Sequence, residues 1–105
     1  MIYGGFRVTP GPGQGLALLP FVARVNQIVS KHGGKPTANF IVAVGGPGSG
    51  DHIHIFGYAD WAAFGAAGLS LQADPDWQKL IAEVGPKISG IASSILQPMP
   101  ESALQ

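Results

Sequence analysis

Apolar and polar positions alternate at the start of the chain: Ile2, Gly4, Phe6 and Val8 fall on one side, Tyr3, Gly5, Arg7 and Thr9 on the other. A period of two is that of a half-buried strand over residues 2–9, and Pro10-Gly11-Pro12-Gly13 ends it. The period then lengthens. Leu18, Phe21, Val22, Val25, Ile28 and Val29 recur at spacings of three and four and form one stripe, with Arg24, Gln27 and Lys31 opposite. Proline fits a helix only in its first turn, so Pro20 predicts regular helix from about Leu18, with 11–16 as loop. His32-Gly33-Gly34 supplies the stop, because glycine takes the left-handed conformation that closes a helix. Residues 39–44 are apolar on both faces and read as a covered strand. The turn segment 45–50 is too short to hold a crossover helix. The next strand, 51–56, is therefore expected to return antiparallel.

A second helical region is predicted from about 60 to 84, in two parts. Asp60 can cap the first, which carries Trp61, Phe64 and Leu71. Asp74-Pro75-Asp76 restarts the helix, with a cap residue, a proline at the first helical position and an acid near the positive end. Trp77, Leu80, Ile81 and Val84 form its apolar stripe, and Gly85-Pro86 ends it. A last strand is expected at 91–96. The order is βαββαβ, which predicts one domain over residues 1–105. Its expected class is α+β: a ferredoxin-like antiparallel sheet with helices on one face.

Composition adds constraints. Charged residues make up 11% of the chain, against about 25% in ordinary domains. A surface so poor in charge is expected to be covered in part by a partner; the alternative is a monomer covered in Gly, Ala, Ser and Pro. The longest apolar run, 40–44, is far too short to span a bilayer. Six basic and six acidic residues are scattered and cancel, so no clustered basic surface for nucleic acid is present in the pattern. There is no cysteine, which removes disulfides and thiolate-held metals. No basic stretch followed by an apolar one opens the chain, so a cytoplasmic location is the expectation. The glycine-rich segments 11–15 and 45–50 read as turns. The first has its third glycine one position early for a dinucleotide fingerprint, and the second lacks the Lys-Ser/Thr of a phosphate loop.

Several segments carry a family resemblance: Phe56-Gly57-Tyr58-Ala59-Asp60-Trp61-Ala62-Ala63-Phe64, Ala73-Asp74-Pro75-Asp76-Trp77, Ile95-Leu96-Gln97-Pro98-Met99-Pro100-Glu101-Ser102, and Lys31-His32-Gly33-Gly34. Through them nearly the whole chain resembles the dimeric α/β barrel superfamily and, within it, the NIPSNAP-like group. The resemblance implies a homodimer in which two sheets meet around a pocket. The superfamily includes cofactor-free monooxygenases, lactone isomerases, polyketide cyclases, haem-degrading enzymes and proteins without known activity.

Candidate chemistry follows from assigning faces. If Ile2, Phe6, Val8, Ile53 and Ile55 face the helices, the other side of the sheet gathers Tyr3, Arg7, Thr9, His52, His54 and Phe56. That is a mostly apolar pocket with a few convergent polar groups. His52 or His54 can act as general base or acid, while Arg7 and Tyr3 can hold a developing oxyanion. Phe56, Thr9, Trp61 and Phe64 would contact the substrate. The expected function is a cofactor-independent enzyme moving a proton on a small apolar or aromatic molecule, of isomerase, cyclase or monooxygenase type. The alternatives are a non-catalytic ligand-binding or assembly module, and a haem-binding or haem-degrading protein with His52 or His54 as axial ligand. A solvated sheet face would reduce the histidines to surface residues. His52 and His54 also have the spacing of a metal pair, but no third ligand accompanies them, so no metal is expected. His32 reads as a helix-end residue favoured by the dipole.

Overall fold

The computed structural model describes residues 1–43 and 49–105. Strand β1 spans Ile2–Pro10. The loop after it closes where Gly11 N–H donates to Lys87 O and Gln14 N–H to Gly11 O, with Gly13 at φ +73°. A 3-10 turn over Leu16–Phe21 absorbs Pro20, and helix α1 then runs Val22–Lys31. Regular helix thus begins four residues after the expected Leu18. The proline has no N–H to give an i−4 carbonyl, and the tighter turn accommodates it. The stop is as expected: His32 caps α1 and Gly33 has φ +93°.

Strand β2 is Lys35–Ile41 rather than residues 39–44; Val44 lies outside the described residues. β2 starts early enough to include Pro36, and its pairing shifts between Pro36 and Ala38. An edge strand has one side without partners, where a missing N–H costs nothing. Residues 45–48 of the expected turn also lie outside the described residues. The chain is tied on either side of them, where Val42 N–H donates to Asp51 O and Gly50 N–H to Val42 O, at 2.9 and 2.7 Å. Strand β3 is His52–Tyr58.

Helix α2, Trp61–Gln72, is capped by Asp60, whose Oδ1 accepts from Ala63 N–H at 2.8 Å. Helix α3, Pro75–Val84, is capped by Asp74, whose Oδ1 accepts from Asp76 N–H at 2.8 Å. A 3-10 turn over Gly85–Lys87 leads into β4, Ile88–Leu96. The four strands form one antiparallel sheet in the order β2-β3-β1-β4. This is the ferredoxin-like α+β arrangement, with the helices on one face. The core lies between the two layers, where Ile2, Phe56 and Tyr58 of the sheet meet Val29 of α1 and Ala67 of α2. Burying a side chain such as Phe56 contributes about 1.5–3 kcal/mol.

Candidate functional site

Residues directly opposite one another on antiparallel strands share a face. β1 and β3 pair Ile2 with Tyr58, Gly4 with Phe56, Phe6 with His54 and Val8 with His52. His52, His54 and Phe56 therefore point toward the helices, together with Phe6 and Val8. This inverts the faces expected for β3, while Ile2, Phe6 and Val8 of β1 face the helices as expected. Ile53 and Ile55 do not face the helices but lie on the open side of the sheet. There Arg7 stands opposite Ile53 and Tyr3 opposite Gly57, and Thr9 stands opposite Gly90 of β4. The expected group is thus divided: Tyr3, Arg7 and Thr9 on one face, His52, His54 and Phe56 on the other. Phe64, on α2, packs against the core on the histidine side, whereas Trp61 is 54% exposed at the start of α2.

Arg7 is also committed elsewhere. Its Nε donates to Asp51 Oδ2 at 2.7 Å, and this guanidinium holds the buried Asp51 carboxyl below the usual carboxylate range.

His54 has a defined chemical state. It is buried, and its Nδ1 lies 2.7 Å from Asn39 Oδ1, its register neighbour on β2. An amide oxygen can only accept, so Nδ1 carries the proton and Nε2 keeps the lone pair. Burial lowers the imidazole's pKa, and the His52 ring, 6.2 Å away between centroids, lowers it further. His54 is consequently a neutral imidazole with one tautomer fixed, the form a general base requires. Asn39 escaped the sequence reading. Its only signal is a lone amide at the edge of an apolar run, and nothing in that run reveals which histidine it meets.

Two cavities lie between sheet and helices. The smaller, about 90 Å³, has His54 in its wall, with Phe6, Val8, Leu18, Val25 and Leu80 among its apolar neighbours. The larger, about 550 Å³, is bounded by Phe6, Tyr58, Phe64, Leu71 and Trp77, with His32, Gln72, Ser93 and Ser94 as polar groups. Phe6 and Trp77 belong to both walls. The larger space exists because Gly4, Ala67 and Gly68 line it. At Gly4 even a methyl group would come 3.1 Å from Phe64 Cε2, so glycine there lets the Phe64 ring lie over the strand. Phe64 in turn meets Tyr58 edge-on, 5.1 Å between centroids at 89°, a favoured aromatic geometry. Among the described residues no group of three His, Cys, Asp or Glu side chains is placed to hold a metal ion.

An antiparallel sheet in the order 2-3-1-4 with helices on one face defines the ferredoxin-like α+β fold. The family model for NIPSNAP matches residues 6–103, and the chain belongs to that family. No curated protein matches the sequence. Among solved structures, a NIPSNAP family protein from Agrobacterium tumefaciens shares the fold at TM-score 0.87 and 23% identity, covering 99% of this chain and 98% of its own. An uncharacterized NIPSNAP domain protein from Burkholderia xenovorans does so at 0.85 and 17%, covering 97% and 98%. A putative antibiotic biosynthesis monooxygenase from Nitrosomonas europaea is more distant, at 0.65 and 7%, covering 94% and 99%.

Proposed function

We propose that the chain binds a small, mostly apolar or aromatic molecule between sheet and helices and removes a proton from it with His54, without a cofactor. The observation that carries this reading is the state of His54: a neutral ring, oriented by Asn39, in the wall of an apolar cavity. Aromatic walls fit a planar ligand, and Phe6 and Trp77 separate the larger space from the smaller. His54 lines only the smaller space, so on this reading one of these two side chains rotates to let a ligand in the larger cavity reach it. Proton removal next to a carbonyl or phenol begins isomerisation and cyclisation alike. The monooxygenase named among the structural neighbours supports the fold's capacity for such chemistry, not this substrate.

A direct test uses 5-nitrobenzisoxazole, a flat aromatic molecule whose ring opens, with a change in absorbance, when a base takes its carbon-bound proton. The folded chain is expected to accelerate the opening, and His54→Gln to slow it by about 10²-fold or more. Gly68→Leu is expected to block it by filling the cavity, since the space beyond Gly68 is open. Equal rates in the wild type and His54→Gln would remove His54 as the base.

A second reading, a non-catalytic ligand carrier, is favoured by one observation. The histidine in the wall of the larger cavity, His32, has both ring nitrogens engaged and so offers no free nitrogen to take a proton directly from a ligand. In that case a fluorescent apolar dye binds, Gly68→Leu displaces it, and no proton is removed. We further propose that the open sheet face pairs with a second copy of the chain, as its exposed apolar side chains suggest.

A further inference from the structure

The ends of α1 and α2 and the start of α3 meet at a polar cluster that the His54 reading does not use. His32 Nε2 lies 2.7 Å from Asp74 Oδ2, and His32 Nδ1 lies 2.5 Å from Ser70 Oγ. Hydrogen bonds from His32, from the backbone N–H of Asp76 and from Lys31 hold the Asp74 carboxyl far below the usual range. An ionised carboxylate can only accept, so Nε2 carries a proton, and in the neutral ring Nδ1 then keeps the lone pair. The Ser70 hydroxyl then donates into Nδ1. The His32 and Asp74 side chains are only 15% and 10% exposed, whereas Ser70 stands open to solvent. Nucleophile, base and orienting acid are thus in hydrogen-bond contact, with the reacting oxygen outermost. Of the three, His32 lines the 550 Å³ cavity, and Leu71, next to Ser70 on α2, lines it too.

We propose that Ser70, His32 and Asp74 form a nucleophilic acyl-transfer site at the edge of the large cavity, acting on esters of small apolar acids. Ser70 Oγ bonds to the ester carbonyl carbon as its proton passes to His32 Nδ1, and Asp74 holds the resulting imidazolium. Collapse of the adduct breaks the ester C–O bond, and the departing alkoxide takes the proton from Nδ1. Water repeats the sequence on the acyl-serine, which frees the acid and restores Ser70. No electrons are exchanged, and the acyl chain has the apolar cavity beside Leu71 to occupy. His54 takes no part, so loss of the sheet-side chemistry leaves this site unaffected.

The same three residues would also clamp three helix ends, so the test must read reactivity rather than stability. The full-length chain is treated with an alkyl fluorophosphonate. Ser70 Oγ displaces fluoride at phosphorus and its proton goes to His32. The expected result is one adduct per chain, mapped by mass spectrometry to Ser70 and absent from Ser70→Ala. The adduct should form about 10³-fold or more faster than on the same chain unfolded in urea. Asp74→Asn keeps a good cap on α3 but allows the ring to turn its protonated nitrogen toward Ser70. It should slow labelling by a similar factor, as should His32→Gln. Wild-type protein that gains no adduct at Ser70 overturns the proposal. So does labelling no faster than in urea.

Discussion

At the scale of single residues, the pH behaviour of His54 separates a buried neutral imidazole from a solvated one. Burial and the neighbouring His52 put its folded-state pKa below the ordinary value of 6.5. Between the two values the unfolded chain binds a proton that the folded chain refuses, so stability falls as pH falls. Acidification from pH 7.5 is therefore expected to lower the urea midpoint from about pH 6.5 downward. His54→Phe should flatten that part of the profile. The replacement leaves Asn39 without its partner, but Asn39 is exposed and water takes the place of the ring. Parallel profiles for the two proteins, measured by urea titration at stepped pH, would mean that His54 is solvated. The same sign applies, at lower pH, to Asp51 and Asp74. Arg7 holds the Asp51 carboxyl below its ordinary range, and hydrogen bonds from His32, the Asp76 N–H and Lys31 do so for Asp74, so their contributions are present above about pH 4 and fade below it.

At the scale of elements, local chemistry was legible and strand register was not. Asp60 ahead of Trp61 and Asp74-Pro75 are caps whatever the tertiary fold, because a side-chain oxygen satisfies N–H groups the helix itself leaves free. Asp60→Ala is expected to cost about 1 kcal/mol in a urea titration, with the cap bond to Ala63 N–H lost and the far-ultraviolet spectrum retained. Alternation in β1 and β3 likewise announced two-faced strands. It could not say which face of β3 joins which face of β1, because a one-residue change of register exchanges them. Matching Ile53 and Ile55 with Phe6 and Val8 looked natural on hydrophobicity alone. The observed register instead buries His54, whose polar cost is met by Asn39 on a strand whose register the sequence did not reveal. His32 was legible as a helix end, but its contacts with Ser70 and Asp74 span 38 and 42 residues of chain, beyond any local pattern.

At the scale of the molecule, the inverted faces leave a question that the 11% charge content sharpens: what covers the open side of the sheet. Ile53 and Ile55 are half-buried there, and Phe40 and Leu96 are 57% and 43% exposed beside them. Phe40 stands opposite Ile53 and Leu96 opposite Tyr3, so the apolar side chains run across all four strands. A second sheet laid on this face would bury them, and Arg7, already paired with Asp51, would enter that interface with its charge compensated. The chain is therefore expected to sediment at twice the protomer mass. Ile53→Arg places a second cation opposite Arg7 in the middle of the face, where like charges on paired positions repel, and should yield a monomer with an unchanged circular dichroism spectrum. Leu69→Arg supplies the contrast. Leu69 is 76% exposed on α2, on the helix side of the sheet, and an added charge there should leave the mass as it was. A monomeric wild type would show the open face to be bare. Dissociation by Leu69→Arg but not by Ile53→Arg would move the contact from the sheet to the helices. With Ile53→Arg alone monomeric, two copies meet sheet to sheet, and each keeps its cavity and its His54 on its own helical side.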